Sequence, residues 1–279
     1  GRGRGRVGPA VSPPLPVTAG AAAAADFNGD GRLDAAIGPY TPTPPSTPVS
    51  LRVLLGRGDG GFDAGVELAW FTGGPLIPKT ADFNGDGRPD LAVLDEGRDT
   101  VRIFLGVGDG TFLAGPEPDP GVHGHISGDG VYAGDAGDLN HDGHDDVVVT
   151  THESFNGTTR LFLFPGRGDG TFGPMVDVPM DNLATSMSHA DVNGDGFTDL
   201  LMSGPESDNG GIGLAATALT VRFGTPAGGF RSALQFFFGF TVSVYDGTVI
   251  GGPRWLSGRP LAADFNGDGV SDYMWENDG

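Results

Sequence analysis

A nine-residue pattern, D-x-N-x-D-G-x-x-D, occurs five times in this chain and restricts its fold more than any other feature. It begins at Asp26 (DFNGDGRLD), Asp82 (DFNGDGRPD), Asp138 (DLNHDGHDD), Asp191 (DVNGDGFTD) and Asp264 (DFNGDGVSD), at spacings of 56, 56, 53 and 73 residues. A second pattern lies between the copies: LGRGDGGF from Leu55, LGVGDGTF from Leu105 and PGRGDGTF from Pro165, with a worn copy, FGTPAGGF, from Phe223. A period of this length marks an array of supersecondary units. Each unit is too small to bury both its faces alone, so neighbours must stack.

The stretches between the motifs read as strands. Each Asp-rich loop leads into a short apolar run, such as Leu91–Leu94 (LAVL) or Val147–Thr150 (VVVT), taken here as the first strand of its unit. An alternating run follows, in which Val101, Ile103 and Leu105 share one face and Arg102 takes the other. The G-x-GDG turn closes a hairpin with a third strand, and a fourth, of small residues, precedes the next loop, as at Lys79–Ala81. Four short strands in roughly 55 residues is the size of one propeller blade. No helical i, i+3, i+4, i+7 stripe persists, so the expected class is all-β: a β-propeller of four-stranded blades, one region over residues 1–279. Gly1–Val11 aligns with Gly166–Val176, which makes the N-terminus a decayed hairpin turn in mid-blade. With units incomplete at both ends, the expectation is about five blades' worth of a longer array rather than a five-bladed ring closed by its termini.

Composition bears on what the loops do. The formal charge is −20, with 36 acidic residues against 16 basic ones. That balance argues against a nucleic-acid partner, because phosphate contact needs a basic face. Crowded carboxylates repel one another unless a cation neutralises them. The 51 Gly and 22 Pro would fit disorder if scattered, but the Gly recur at fixed turn positions. There is no Cys, hence no disulfide and no thiolate metal site. No apolar run approaches the roughly 18 residues of a membrane span, so direct membrane insertion is not expected.

The loops present hard oxygen ligands around one tight turn. Position 1 is Asp26, Asp82, Asp138, Asp191 or Asp264; position 3 is Asn28, Asn84, Asn140, Asn193 or Asn266. Position 5 is Asp30, Asp86, Asp142, Asp195 or Asp268, and position 9 is Asp34, Asp90, Asp146, Asp199 or Asp272. Gly at position 6 supplies the bend. A backbone carbonyl at position 7 (Arg32, Arg88, His144, Phe197 or Val270) adds a further oxygen. This set suits Ca²⁺ and not a soft metal. Five Ca²⁺ ions would cancel half the formal charge. The loops are not EF-hands: position 12 is apolar in every copy (Ile37, Val93, Val149, Met202, Trp275), so the ninth-position Asp is expected to close the site. The third loop departs most, with His141 in place of Gly and His144 at position 7.

DFNGDGRLD followed by LGRGDGGF resembles the FG-GAP/VCBS repeat family, the repeat of the integrin α-subunit propeller. The resemblance implies a propeller, usually seven-bladed, with Ca²⁺ in a hairpin loop of each blade. Seven blades need more residues than this chain has, so the resemblance too implies a fragment. Asp264–Asn277 is similar to the variant of this repeat found in secreted bacterial proteins. A single Lys, Lys79, beside fifteen Arg points the same way, towards a GC-rich bacterium.

Other features have plainer readings. Arg57-Gly58-Asp59 and Arg167-Gly168-Asp169 spell an adhesion tripeptide, but both sit inside the repeat's own hairpin turn. His123, His125, His152 and Glu153 form no zinc pattern and read as loop residues. Asn156-Gly-Thr158 fits a glycosylation sequon and carries little weight. The longest repeat holds Phe236, Phe237, Phe238, Phe240, Tyr245 and Trp255, read as core strand or as a platform for sugar rings. No nucleophile elbow, Cys nucleophile or phosphate loop is present, so no enzyme activity is expected. The resulting expectation is an extracellular, calcium-binding binding or adhesion module whose partner is a polysaccharide or a protein. One alternative is the propeller of a secreted carbohydrate-active enzyme, using acids such as Glu206 and Asp208. The other is a structural spacer in a large surface protein.

Overall fold

The computed structural model describes residues 19–39, 48–72, 75–95, 100–118, 130–153, 158–180, 184–205, 217–238, 262–263 and 272–273. Every regular element among them is a strand. The first sheet is an antiparallel meander of β1 (Ala19–Ala25), β2 (Asp34–Pro39), β3 (Pro48–Gly56) and β4 (Phe62–Thr72). The second orders β5 (Leu76–Ala81), β6 (Asp90–Asp95), β7 (Thr100–Gly106) and β8 (Phe112–Ala114) in the same way. The third holds β9 (Gly130–Gly137), β10 (Asp146–Glu153), β11 (Thr158–Phe164) and β12 (Val176–Pro179). The fourth holds β13 (Ser186–Ala190), β14 (Asp199–Pro205), β15 (Thr217–Thr225) and β16 (Gly229–Phe238). A two-stranded sheet, β17 (Ala262–Ala263) with β18 (Asp272–Tyr273), starts a fifth. Each four-stranded meander has the layout of a propeller blade.

The sheet boundary falls one strand earlier than the sequence reading placed it. The Asp-rich loop does not lead into the first strand; it joins the first strand to the second. One register recurs in all five sheets: the small residue before the loop pairs with the ninth-position Asp. The pairs are Ala25↔Asp34, Ala81↔Asp90, Gly137↔Asp146, Ala190↔Asp199 and Ala263↔Asp272. The apolar second strands lie between two partners in mid-sheet, and β6 is buried along its whole length. Burial on both faces is why these strands read as continuous apolar runs rather than alternating ones. In β7 the alternation holds only in the first half: Val101 and Ile103 are buried and Arg102 takes the other face, but Phe104 on that face is buried too and Leu105 is half-buried.

The chain forms two compact units, residues 1–82 with 86–117 and residues 83–85 with 118–279. In the first, Phe27, Leu51, Val53, Phe71, Leu76, Leu91 and Val93 share one core drawn from both its sheets. Arg102 stacks on Phe71, 4.6 Å from the ring centroid, and its Nε donates to Glu117 at 3.0 Å. In the second, Leu139, Val148, Leu161, Leu163, Met187, Leu200 and Met202 form the core of the third and fourth sheets.

Candidate metal centre

Local hydrogen bonding shapes each nine-residue loop. In the first, the amide of Asp30 donates to Asp26 Oδ1 (3.0 Å) and to Asn28 Oδ1 (3.0 Å). The amide of Gly31 donates to Asp26 Oδ2 (2.7 Å), and that of Arg32 to Asp30 Oδ1 (2.9 Å). The chain turns through left-handed residues at positions 4 and 6, Gly29 (φ 73°) and Gly31 (φ 80°), where a side chain would be strained. The fourth loop repeats the pattern: Asp195 N donates to Asn193 Oδ1 (2.8 Å), and Gly196 N to Asp191 Oδ2 (2.9 Å). In the second, Gly87 N donates to Asp82 Oδ2 (2.8 Å) and Arg88 N to Asp86 Oδ1 (2.9 Å). In the third, Asp142 N donates to Asn140 Oδ1 (2.8 Å) and Gly143 N to Asp138 Oδ2 (3.2 Å). Positions 1, 3 and 5 thus face the same turn in the first, third and fourth loops, and positions 1 and 5 do so in the second.

Position 9 behaves differently. Asp34, Asp90, Asp146 and Asp199 are fully buried, and their carboxylates bind backbone amides. Asp34 Oδ2 accepts from Phe27 N (2.9 Å) and Oδ1 from Gly56 N (2.7 Å). Asp199 does the same with Val192 N (3.0 Å) and Gly224 N (2.9 Å). Asp146 accepts from Leu139 N, Asn140 N and Gly166 N at 2.8–3.0 Å, and Asp90 from Gly106 N at 2.7 Å. Each of these Asp residues therefore staples the start of its loop, its hairpin turn, or both. The hairpin residue is Gly for lack of space. A Cβ on Gly56, Gly106, Gly166 or Gly224 would stand 2.0–2.3 Å from the carbonyl oxygen of Leu33, Pro89, Asp145 or Thr198.

The donor set fits a hard cation by its chemistry. Asp138 Oδ1 is buried without a hydrogen-bond partner. Burial, opposed in part by its amide bonds and reinforced by the neighbouring Asp142 charge, pushes Asp146 up to about 7. Burial first, then the charges of Asp195 and Asp191, also raises Asp199. These carboxylates lack compensating charge, which a cation supplies. Partial compensation comes from arginine: Arg32 and Arg88 at position 7 approach Asp30 and Asp86 at 3.7 and 3.5 Å, and Arg231 approaches Asp195 at 3.6 Å. Among the described residues no three His, Asp or Glu side chains gather as a formed metal site. The position-9 carboxylates turned to amides account for part of this. Of the fifth loop, Asp272 is placed in β18, while Asp264, Asn266, Asp268 and Val270 lie outside the described residues.

Position 2 was not singled out from sequence, yet it anchors the first three loops, while Val192 of the fourth is half-buried. Phe27, Phe83 and Leu139 are 1% exposed. Phe27 packs edge-on against Phe112 of the next hairpin, with centroids 5.4 Å apart, and its carbonyl accepts from Gly110 N at 2.9 Å. Within the second unit, Phe83 meets Phe172 (5.6 Å) and accepts from Gly170 N (2.9 Å). The signal was in the sequence: position 2 is Phe, Phe, Leu, Val and Phe.

The two RGD tripeptides sit at hairpin tips. Asp59 accepts from Gly61 N (2.8 Å), and Asp169 from the amide and hydroxyl of Thr171 (2.9 and 2.6 Å). These bonds draw both carboxyls below their usual range, and Arg57 is paired with Asp63 at 3.1 Å. The groups serve their own turns. His123, His125, Asn156, Glu206, Asp208, Phe240, Tyr245, Trp255 and the N-terminal turn lie outside the described residues.

Fold and loops together define a repeat protein of four-stranded blades, each with an Asp-rich loop between its first and second strands. Residues 82–149 and 138–202 match the FG-GAP-like repeat family, each match running from one loop through the next, so that residues 82–202 carry FG-GAP-like repeats. Integrin alpha-PS3 of Drosophila melanogaster is 26% identical over 145 residues, which cover 46% of this chain and 13% of that protein's length. The Photorhabdus luminescens Tc holotoxin pore is similar over 94% of this chain and 11% of its own, at 21% identity and a TM-score of 0.41. The V. cholerae biofilm matrix protein Bap1 is similar over 78% of this chain and 39% of its own, at 19% identity and a TM-score of 0.36.

Proposed function

We propose that this chain is part of a calcium-stabilised β-propeller serving as a noncatalytic binding module of an extracellular protein. Recurrence carries the reading. The first four loops each turn two Asp carboxylates towards one bend, joined by an Asn carbonyl in the first, third and fourth, and in the third loop Asp138 Oδ1 is left without a partner. Ca²⁺ would be held by positions 1, 3 and 5 with the carbonyl of position 7. Position 9 would contribute the remaining lone pairs of its amide-bound oxygens. The ion supplies positive charge where burial and like charges disfavour ionised Asp146 and Asp199. Extracellular modules bind Ca²⁺ at roughly 10⁻⁴ to 10⁻³ M, a range that suits such partly exposed loops. Similarity to an integrin α subunit supports a binding role, and a polysaccharide or a protein is the partner proposed here.

Calorimetric titration with calcium and thermal unfolding with and without EDTA test this. About five ions per chain and a fall in melting temperature in EDTA are expected. One site held at a hundred times its Kd adds about 2.7 kcal/mol. Identical melting in calcium and EDTA, with no binding heat at millimolar calcium, would refute the reading.

A further inference from the structure

We propose that His141 is a positioning residue that couples the third and fourth calcium loops, so that an ion in one favours an ion in the other. The inference rests on the calcium reading above. His141 is the one non-glycine residue with positive φ (63°) among the described residues. It stands at loop position 4, where Gly29, Gly85 and Gly194 adopt 73°, 70° and 73°. A side chain in that conformation is strained. Strain held at one copy of a repeat points to a use for the side chain.

The ring reaches the next loop. Its Nε2 accepts the backbone N–H of Thr198. Its edge meets the Phe197 ring at 5.1 Å and 85°. Phe197 is position 7 of the fourth loop, whose carbonyl is a candidate ligand, and Thr198 connects it to Asp199. On its own side His141 lies between Asn140 and Asp142, both candidate ligands of the third loop. One side chain therefore joins the backbone between two ligands of one loop to the backbone between two ligands of the other. The glycines of the first, second and fourth loops have no side chain with which to do this. An ion that orders residues 140–142 fixes the aim of the ring. The fourth loop then meets its own ion already partly ordered, and that is a coupling free energy.

The test is a cycle of variants in the full chain, with calcium alone as the probe. Amide resonances of the position-6 glycines, Gly143 and Gly196, report the two loops separately during titration. In the wild type, Asp142→Asn should weaken binding at Gly196 by about five-fold or more. In a His141→Gly background the same change should leave the Gly196 titration unmoved. His141→Asn should behave like His141→Gly. Asn keeps the left-handed conformation but is too short to bridge, so loss of coupling there is not a folding defect. An equal effect of Asp142→Asn at Gly196 with and without the imidazole would overturn the proposal, as would no effect in the wild type. Absence of any calcium shift at Gly31, Gly87, Gly143 and Gly196 would overturn the calcium reading and the coupling with it.

Discussion

Replacing Asp34 by Ala separates two roles that sequence alone merges. As a calcium ligand only, Asp34 would matter only when calcium is present. In the structure its carboxylate is 1% exposed and holds two amides, Phe27 N at 2.9 Å and Gly56 N at 2.7 Å. A hydrogen bond to a charged acceptor contributes about 1.5–3 kcal/mol, so losing two removes roughly 3–6 kcal/mol. Water entering the vacated space lowers that figure, and a loss of about 3 kcal/mol is the working expectation. The assay is urea unfolding followed by circular dichroism, first in EDTA and then in millimolar calcium. Asp34→Ala should shift the midpoint strongly in both. Asp34→Asn, which keeps one acceptor, should fall between it and the wild type. Asp30→Asn, at an exposed position whose Oδ1 bonds only within the loop, should be nearly silent in EDTA and destabilising in calcium. A change of less than about 1 kcal/mol for Asp34→Ala in EDTA would refute the staple.

Two further outcomes follow from the same geometry. Asp146 has its folded pKa raised from 3.8 to about 7 by burial, so between those values the folded chain holds a proton that the unfolded chain has released. In EDTA its contribution to stability is therefore complete below pH 3.8 and lost as pH rises through about 7, with Asp199 acting in the same direction. Melting temperature against pH should decline over that window in EDTA, and calcium should flatten or reverse the slope. A rising melting temperature in EDTA across the window would contradict it, provided Asp146→Asn removed the rise. Gly56→Ala and Gly31→Ala make a matched pair. A Cβ at Gly56 would stand 2.0 Å from the Leu33 carbonyl oxygen, whereas one at Gly31 meets nothing within 4 Å and suffers only its φ of 80°. Gly31→Ala should cost about 1–2 kcal/mol and Gly56→Ala clearly more, read from urea midpoints. Equal losses would remove the steric account of the hairpin glycine.

Periodicity made the strands legible, because a mid-sheet strand buried on both faces must be apolar throughout, as Leu91–Leu94 and Val147–Val149 are. The order of strands within a sheet was less legible. Lys79–Ala81 reads equally well as the last strand of one unit or the first of the next, and only the pairing Ala81↔Asp90 decides. The loop chemistry was legible at positions 1, 3 and 5, where oxygen side chains recur around a Gly bend. At position 9 the geometry was hidden. An Asp that binds amides and an Asp that binds an ion look alike in sequence, since both use carboxylate lone pairs. The Arg102–Glu117 and Arg52–Glu67 pairs, both at 3.0 Å, also went unread. Their partners lie fifteen residues apart, and only the hairpin register brings them together.

The worn hairpin of the fourth sheet separates what that turn does for itself from what it does for the loops. FGTPAGGF has lost the Asp that caps the turn in the other copies, with Ala227 in its place. It has also lost the first left-handed glycine, replaced by Pro226, and Thr225 closes the turn instead by accepting from Gly228 N (3.0 Å) and Gly229 N (3.3 Å). Three residues remain, and each of them reaches outside the turn. Gly224 N binds Asp199, the backbone at Gly228 passes close to the Asn140 carbonyl, and Phe230 packs on the core that holds Leu139. The features that repeat most faithfully are thus contacts between hairpin and Asp-rich loop, within one sheet through position 9 and between neighbouring sheets through position 2. An ion bound in a loop acts on a segment fixed at both points, so its stabilisation is passed on to sheet packing. That places the loops where calcium would control the assembly of the fold, as well as the order of one turn.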